Sequence, residues 1–292
     1  MPHYTAFFAL IIISTAVLLT IFIRKKDKKL VVLLFFIIGM AYVLEYVVFV
    51  LFESYDYDPD FMTNEYYDNL FGSLTSQAFA FPIMAMAVAA YQLKFRYILI
   101  ISTMFMGIEE LFLHWDIYTH HWWKTIYTGV LMTIGFSISK IWYVWLTERY
   151  MTFVHYATFF LGMLAITSTI MFMLLAYFHN NWFYTGWFAS ATHDSVNATM
   201  IYVCIVTILL VWSAAKEFFI GAGIIIVGLR IVDIFLIHYG VLLVSITTSL
   251  VLFYAFTSRC INSERYASKF YYEKLLWDEQ KRRCVSSEEL LR

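Results

Sequence analysis

The sequence has few of the residues that build soluble or disulfide-bonded domains. Its 292 residues include three Cys and three Pro, and only 14% are charged, whereas 62% are apolar and 20% are aromatic. So few charged side chains exclude an ordinary soluble domain. One of the three Cys, Cys204, lies inside an apolar segment, and their spacing indicates no disulfide framework. Lipid must therefore be the solvent for most of the side chains.

Nine apolar segments follow one another along the chain, and a helix needs about 20 apolar residues to cross a bilayer. The segments cover residues 5–23, 30–52, 70–92, 97–116, 126–146, 153–178, 196–215, 218–238 and 240–257. We therefore predict an all-α polytopic membrane helix bundle over residues 1–258, with an amphipathic tail at residues 259–292.

The basic residues are distributed unequally between the connections. Seventeen of the twenty Lys and Arg lie in connections on one side of the segments or in the tail, and only Lys124 lies on the other side. Short cytoplasmic loops accumulate Lys and Arg. This pattern predicts a multi-pass protein of the cell membrane, with the N-terminus outside and the tail in the cytoplasm.

Segments two to five and six to nine share an order of features. In the third helix of each set, a Gly is followed by charged residues and then by a His. These residues are Gly107, Glu109, Glu110 and His114 in the first set and Gly228, Arg230, Asp233 and His238 in the second. The pattern indicates parallel repeats over residues 30–146 and 153–257. The alternative is that two apolar four-helix blocks are similar by chance.

Several charged residues within the segments lie toward the predicted outer ends. A carboxylate at the centre of a membrane helix costs about 2.5–3.5 kcal/mol on the insertion scale, so such groups usually face a protein interior or a wet cavity. We predict one outward-facing polar pocket that binds or moves a small ligand or cation. Its residues are Glu45, Glu109, Glu110, His114, Arg230, Asp233 and His238.

Histidines are concentrated near the same predicted surface. Glu110 and His114 are four residues apart, so both project from one face of a helix, and His121 and His193 lie in or beside outer loops. Imidazole and carboxylate together suit a divalent transition metal such as Zn²⁺. A metal-free hydrogen-bonded or proton-relaying network and simple interfacial placement of the His residues are the alternatives.

Two other regions allow further interpretations. The acidic loop at residues 53–69 is either solvated or a Ca²⁺ site, although the Gly turn and the terminal Glu of an EF-hand loop are missing. The tail mixes bulky apolar and charged residues, which favours either an interfacial helix or a docking segment for a protein partner. A structural or sensory membrane protein is thus a third functional class. Nothing in the sequence indicates a nucleic-acid partner.

Two resemblances are carried by short stretches. YYDNLFGSLTSQAFAFP (66–82) and GIEELFLHWDIYTHHWW (107–123) resemble an uncharacterised group of bacterial multi-pass membrane proteins, which implies no activity. Glu109 and Glu110, with the later stretch His193 to Asn197, are similar to the EExxxR and HxxxN elements of CAAX-type intramembrane endopeptidases. That resemblance implies a metal-assisted hydrolase with Glu109 or Glu110 as general base. The chain departs from this pattern because His114 replaces the Arg and no clear FxxxH element follows.

Overall fold

The computed structural model describes residues 2–148, 151–178, 182–188, 190–215 and 219–243. Most of these residues are α-helical. Seven helical segments among them are long and apolar enough to cross a membrane, so the chain is a multi-pass integral membrane protein. These segments are Tyr4–Lys25, Lys29–Leu51, Glu65–Ala90, Phe95–His114, Thr125–Glu148, Thr152–Ala176 and Ala191–Leu209.

Thirteen elements make up the described fold. In chain order they are α1 (Tyr4–Lys25), α2 (Lys29–Glu45), π1 (Tyr46–Leu51), β1 (Tyr55–Tyr57), α3 (Glu65–Leu74), π2 (Thr75–Ala80), α4 (Phe81–Ala90), α5 (Phe95–His114), β2 (Tyr118–His120), α6 (Thr125–Glu148), α7 (Thr152–Phe178), α8 (Ala191–Ala215) and α9 (Phe219–His238).

The helices agree with the first eight predicted segments except that two of them begin five residues earlier. The seventh segment begins at Ala191 rather than at residue 196. The third segment begins at Glu65 rather than at residue 70, because the side chain of Asn64 caps the helix by accepting a hydrogen bond from the Tyr67 amide. The predicted ninth segment, at 240–257, falls almost entirely outside the described residues, and the predicted tail at 259–292 falls wholly outside them.

Two compact units can be distinguished. The first contains α1 to α7 and α8 as far as Cys204, and the second contains residues 182–184 and the chain from Ile205 onward. In the first unit α2 is central and packs against α4, α6 and α7. It runs closely past α7, because a Cβ atom at Gly39 would collide with the backbone carbonyl of Leu161. This close approach fixes the position of α2, which carries Glu45.

The two ends of the first unit have different chemistry. At one end β1 pairs antiparallel with β2, with Tyr55 opposite His120 and Tyr57 opposite Tyr118. We call this the sheet end, and the sequence analysis predicts that it faces outward. The sheet itself was not predicted from the sequence, since its strands are only three residues long.

At the opposite end of the first unit, which we call the basic end, two Lys side chains contact backbone carbonyls. Lys140 Nζ donates to the carbonyl of Leu93 at 2.9 Å, and Lys29 Nζ lies 3.5 Å from the carbonyl of Thr147. The Thr147 carbonyl belongs to the last turn of α6, where a helix leaves carbonyls without an intrahelical partner, and Leu93 lies in the connection between α4 and α5. Both contacts keep the charged groups near the interface.

Two helices contain a π-helical turn near the sheet end. The turn π2 immediately precedes Pro82, which lies at the start of α4. Proline has no amide N–H and its ring crowds the carbonyl four residues earlier, so a wider turn at this point relieves both problems. The other turn, π1, begins directly after Glu45. Both turns therefore alter the helical path close to one buried carboxylate.

The described part of the second unit centres on α9. Arg230 Nη1 lies 3.4 Å from Asp233 Oδ2, one helical turn away. After α9 the chain turns at Gly240, whose φ is +69°, and forms an antiparallel bridge between Leu242 and Phe183. The positive φ explains why glycine is suited to this position.

Candidate functional site

Glu45 is a buried carboxylate at the junction of α2 and π1. It is 7% exposed and accepts three hydrogen bonds from side chains. Tyr55 Oη and Gln77 Nε2 donate to Oε2 at 2.7 and 2.8 Å, and Ser73 Oγ donates to Oε1 at 2.7 Å. No Lys, Arg or His of the described residues is within ion-pair distance of Glu45.

The sequence analysis placed Glu45 in a polar pocket but did not identify its three hydrogen-bond donors. Ser73 and Gln77 are four residues apart in the segment that runs through α3 and π2, so a helical spacing could have indicated a shared polar face. Tyr55 reaches Glu45 from β1, and nothing in the sequence indicates that a loop tyrosine folds back onto the helix.

A cavity of about 110 Å³ lies beside Glu45 in the first unit. Its walls come from α2 with π1, α3, α7 and α8, and most of the lining is apolar. Polar groups on the wall include Tyr42, Tyr46, Ser73 and Thr199. Tyr46 Oη donates to Asn197 Oδ1 at 2.7 Å, which ties π1 to α8. The cavity therefore places a buried carboxylate beside a mostly apolar wall.

The tyrosines of the sheet end shield this site from water. Tyr55 and Tyr118 are both 5% exposed, and their rings lie 5.3 Å apart between centroids. Burial raises the pKa of each phenol well above its usual value of 10, and the charge of Glu45 adds to that effect. Tyr55 therefore stays protonated at neutral pH and remains a hydrogen-bond donor to Glu45.

Glu109 and Glu110 have separate partners. Glu109 Oε1 lies 2.7 Å from His120 Nε2, so α5 is tied to β2. Glu110 is exposed and accepts a hydrogen bond from Thr125 Oγ1 at 2.6 Å. His114, at the last position of α5, is also exposed. The geometry does not place Glu110 beside Glu45.

The other two proposed metal ligands also lie apart. His121 Nε2 lies 2.9 Å from Asp56 Oδ2, and His121 Nδ1 lies 2.7 Å from the Glu53 carbonyl oxygen. His193 is buried, and its Nε2 lies 2.9 Å from the Val50 carbonyl oxygen. Across the described ranges, no three His, Cys, Asp or Glu side chains are grouped closely enough to hold a metal ion. The metal hypothesis for Glu110, His114, His121 and His193 therefore gains no support from these residues.

Asp68 and Asp194 are buried carboxylates that organise loops. Asp68 accepts hydrogen bonds from the backbone amides of Asp60, Phe61 and Met62, at 2.7 to 2.9 Å. Asp194 accepts from three backbone amides and one hydroxyl, contributed by Thr185, Gly186 and Trp187. Each aspartate is the fourth residue of its helix, and each fixes the loop that precedes that helix.

The remaining predicted pocket residues lie in the second unit. Asp233 is buried and contacts Arg230, as the helical spacing suggests, whereas His238 is exposed at the end of α9. Arg230 and Asp233 thus form a pair within one helix.

Comparison with known proteins adds no assignment. No family model, no curated protein and no solved structure matches the chain.

Proposed function

We propose that the chain is a duplicated membrane fold with nine spans, whose N-terminus and sheet end lie outside the cell. The two copies correspond to residues 30–146 and 153–257, and the charge distribution along the sequence supports the orientation. Local hydrogen-bond patterns that recur at a nearly constant sequence distance support the duplication.

The loops fixed by Asp68 and Asp194 carry the first such pattern. The two aspartates are 126 positions apart, and so are Asp60 and Gly186, whose amides donate to the Oδ2 atoms of Asp68 and Asp194. Asp60 and Gly186 both have positive φ, at 52° and 72°. An aspartate tolerates this region less readily than glycine, so the shared conformation favours a common origin of the two loops.

The ends of α5 and α9 carry the second pattern. Both helices have 20 residues and end in a His, and these His residues are 124 positions apart. After α5 the amide of Asp116 donates to Leu113, and after α9 the amide of Gly240 donates to Ile237. The strand pair Tyr57–Tyr118 likewise corresponds to the bridge Phe183–Leu242. An alignment of the two copies at this offset of 124 residues pairs Glu109 with Asp233 and His114 with His238.

Cysteine labelling tests the orientation. In a variant that lacks the three native Cys, a Cys introduced at Asp60 should react with a membrane-impermeant maleimide added to intact cells. A Cys at Gln92, in the connection at the basic end, should react only after the cells are opened. The reverse result would overturn the orientation.

We further propose that the protein binds a small cation in the cavity beside Glu45. The observation that carries this proposal is a buried carboxylate that borders a cavity and whose hydrogen-bond donors, within the part of the chain that the structure describes, are all neutral side chains. A buried negative charge without a cationic partner is costly in a membrane interior. A bound cation would offset that charge, and an open lone pair on Oε1 would accept its hydrogen bond, since Ser73 is the one described residue that donates to that oxygen.

Ligand-dependent thermal stability tests this proposal. Purified protein is heated in the presence of Na⁺, K⁺, ammonium, methylammonium, benzylammonium or Zn²⁺, each as the chloride salt. At least one cation should raise the melting temperature of the wild type and not that of Glu45→Gln, because binding to the folded state stabilises it. The matched control is Glu110→Gln, which removes an exposed carboxylate from another helix and should keep the cation response. If no cation distinguishes wild type from Glu45→Gln, the binding proposal is wrong.

A further inference from the structure

The cavity beside Glu45 is lined by equivalent positions of the two proposed copies. With the 126-residue register of the aspartate loops, Tyr46 corresponds to Phe172 and Ser73 to Thr199, and all four residues line the cavity. The same register relates α2 and α3 to α7 and α8, which form the facing walls. The cavity thus lies between the copies, where membrane proteins built from repeats commonly bind their ligands.

The two walls differ at the positions that determine polarity. Glu45 corresponds to Met171, and its hydrogen-bond donor Gln77 corresponds to Val203. Met171 and Val203 both line the cavity. At these positions the first wall carries a carboxylate with its amide donor, whereas the second carries a thioether and an isopropyl group beside the hydroxyls of Ser168 and Thr199. A ligand that contacts both walls needs one charged end and one apolar end.

The aromatic side chains of the first wall suit a cation. Tyr42, Tyr46 and Phe49 line the cavity together with Glu45. Ring faces attract organic cations, and the attraction grows where water is excluded. A strongly hydrated inorganic ion would gain little from the mainly apolar second wall and would need several oxygen ligands. The described side chains that contact Glu45 instead use their N–H or O–H groups to donate hydrogen bonds to it.

The volume limits the size of the apolar part. An engineered apolar cavity of about 150 Å³ holds one benzene molecule. The cavity beside Glu45 is smaller, at about 110 Å³, so a phenyl ring is the upper limit for the apolar part and the two acyl chains of a phospholipid are far too large.

We propose that the ligand is a free organic ammonium ion with an apolar body no larger than a phenyl ring, bound across the two walls. This inference rests on the proposed cation site at Glu45. The ammonium group donates to Oε1 of Glu45, and the apolar body packs against Met171 and Val203. Flexible Met171 can adjust to apolar bodies of different shape.

The test is a comparison of three probes by isothermal titration of the full-length protein in phosphatidylcholine nanodiscs. Benzylammonium carries both features, methylammonium carries only the charge, and benzyl alcohol carries only the ring. Benzylammonium should bind the wild type about tenfold or more tightly than either of the others, because only it contacts both walls. Glu45→Gln should remove this advantage over benzyl alcohol. Met171→Gln should weaken the binding of benzylammonium and leave the affinity for methylammonium unchanged. Met171→Leu is the matched control and should preserve benzylammonium binding.

The outcomes separate the ligand class from the cation site. Suppose that methylammonium or an inorganic cation binds as tightly as benzylammonium and that Glu45→Gln removes this binding. The proposed cation site at Glu45 would then be correct, and the proposed ligand with an apolar body would be wrong. If no probe distinguishes wild type from Glu45→Gln, both proposals fail.

Nanodiscs that contain phosphatidylethanolamine test the source of the ammonium group. If benzylammonium binds more weakly in these nanodiscs, the lipid headgroup competes for the cavity, and the proposal that the ligand is a free ammonium ion is wrong. The comparison of the three probes needs no variant, so it remains decisive even if Met171→Gln fails to fold.

Discussion

Glu45 and Asp194 are both buried carboxylates of membrane-spanning helices, but their donors differ in kind. Three backbone amides and one hydroxyl donate to Asp194, so its partners cannot leave without unfolding the loop. Glu45 is held by the side chains of Tyr55, Ser73 and Gln77, which can rotate, and it borders a cavity. The difference indicates that Asp194 stabilises the fold, whereas the hydrogen bonds of Glu45 can change without unfolding a loop, as the proposed ligand binding requires.

The largest effect is expected at the loop carboxylates. Asp194→Asn or Asp68→Asn should lower the free energy of unfolding by about 3 kcal/mol or more, because an amide replaces an acceptor of several charge-assisted bonds worth about 1.5–3 kcal/mol each. Unfolding of the detergent-solubilised protein by SDS measures this. Glu65→Gln, an exposed change in the same turn as Asp68, is the control and should have almost no effect. If both aspartate variants were as stable as this control, Asp194 and Asp68 would not stabilise the fold, and the contrast with Glu45 would be wrong.

A second substitution, Gly39→Ala, should separate α2 from α7 at one side of the cavity and leave every carboxylate unchanged. Gly39→Ala should lower the free energy of unfolding by about 1–3 kcal/mol, because the added Cβ collides with the Leu161 carbonyl and separates α2 from α7. Gly162→Ala is the matched control, since the nearest atom to its Cβ, in Phe35, is 3.7 Å away. SDS unfolding of both variants measures the difference. Equal effects would mean that the helices are not in close contact at Gly39.

Alkaline pH should destabilise the fold, because the buried tyrosines near Glu45 must stay protonated in the folded protein. Because the folded-state pKa values of Tyr55 and Tyr118 are raised above 10, the folded protein holds more protons than the unfolded chain above that pH. Stability should therefore be complete below pH 10 and fall above it, by about 1.4 kcal/mol per pH unit for each tyrosine. Unfolding measured at pH 9, 10 and 11 gives the slope. Tyr118→Phe should reduce the slope, and Tyr127→Phe, at an exposed site on α6, should not.

The smallest effect on stability is expected at Glu45 itself. In the absence of ligand, Glu45→Gln should change the free energy of unfolding by less than about 1 kcal/mol, because removal of a buried charge offsets the weaker hydrogen bonds. The same SDS assay compares this variant directly with Asp194→Asn. A loss as large as that of Asp194→Asn would mean that Glu45 is also a purely structural residue.

The sequence predicts the helices better than it predicts the site. Apolar length and the Lys and Arg distribution are enough to locate the helical segments, because lipid imposes the same length requirement on each of them. The sequence analysis placed Glu45 in a polar pocket, and the three-residue spacing of Arg230 and Asp233 is one at which helical side chains can meet, as they do here. It did not separate Glu45 from Glu110, which is exposed, because composition does not show which helix face is covered.

The remaining features depend on the backbone path. The two π turns and the short sheet have no clear sequence signal apart from Pro82, and Tyr55 reaches Glu45 only because β1 pairs with β2. A Gly-based reading of the repeat would align Gly107 with Gly228. The proposed duplication instead uses the hydrogen bonds that follow α5 and α9, which align the chain three residues differently and pair Glu109 with Asp233.

Photolabelling of the cavity tests the central claim most directly. A short alkylammonium that carries a diazirine is bound to the full-length protein in nanodiscs, activated by light, and located by peptide mass spectrometry. The account predicts that the label is inserted into α7 or α8 at cavity residues such as Met171 or Met200, that benzylammonium prevents this labelling, and that Glu45→Gln abolishes it. Labelling confined to lipid-facing residues, and equally strong in wild type and Glu45→Gln, would contradict a ligand site at Glu45.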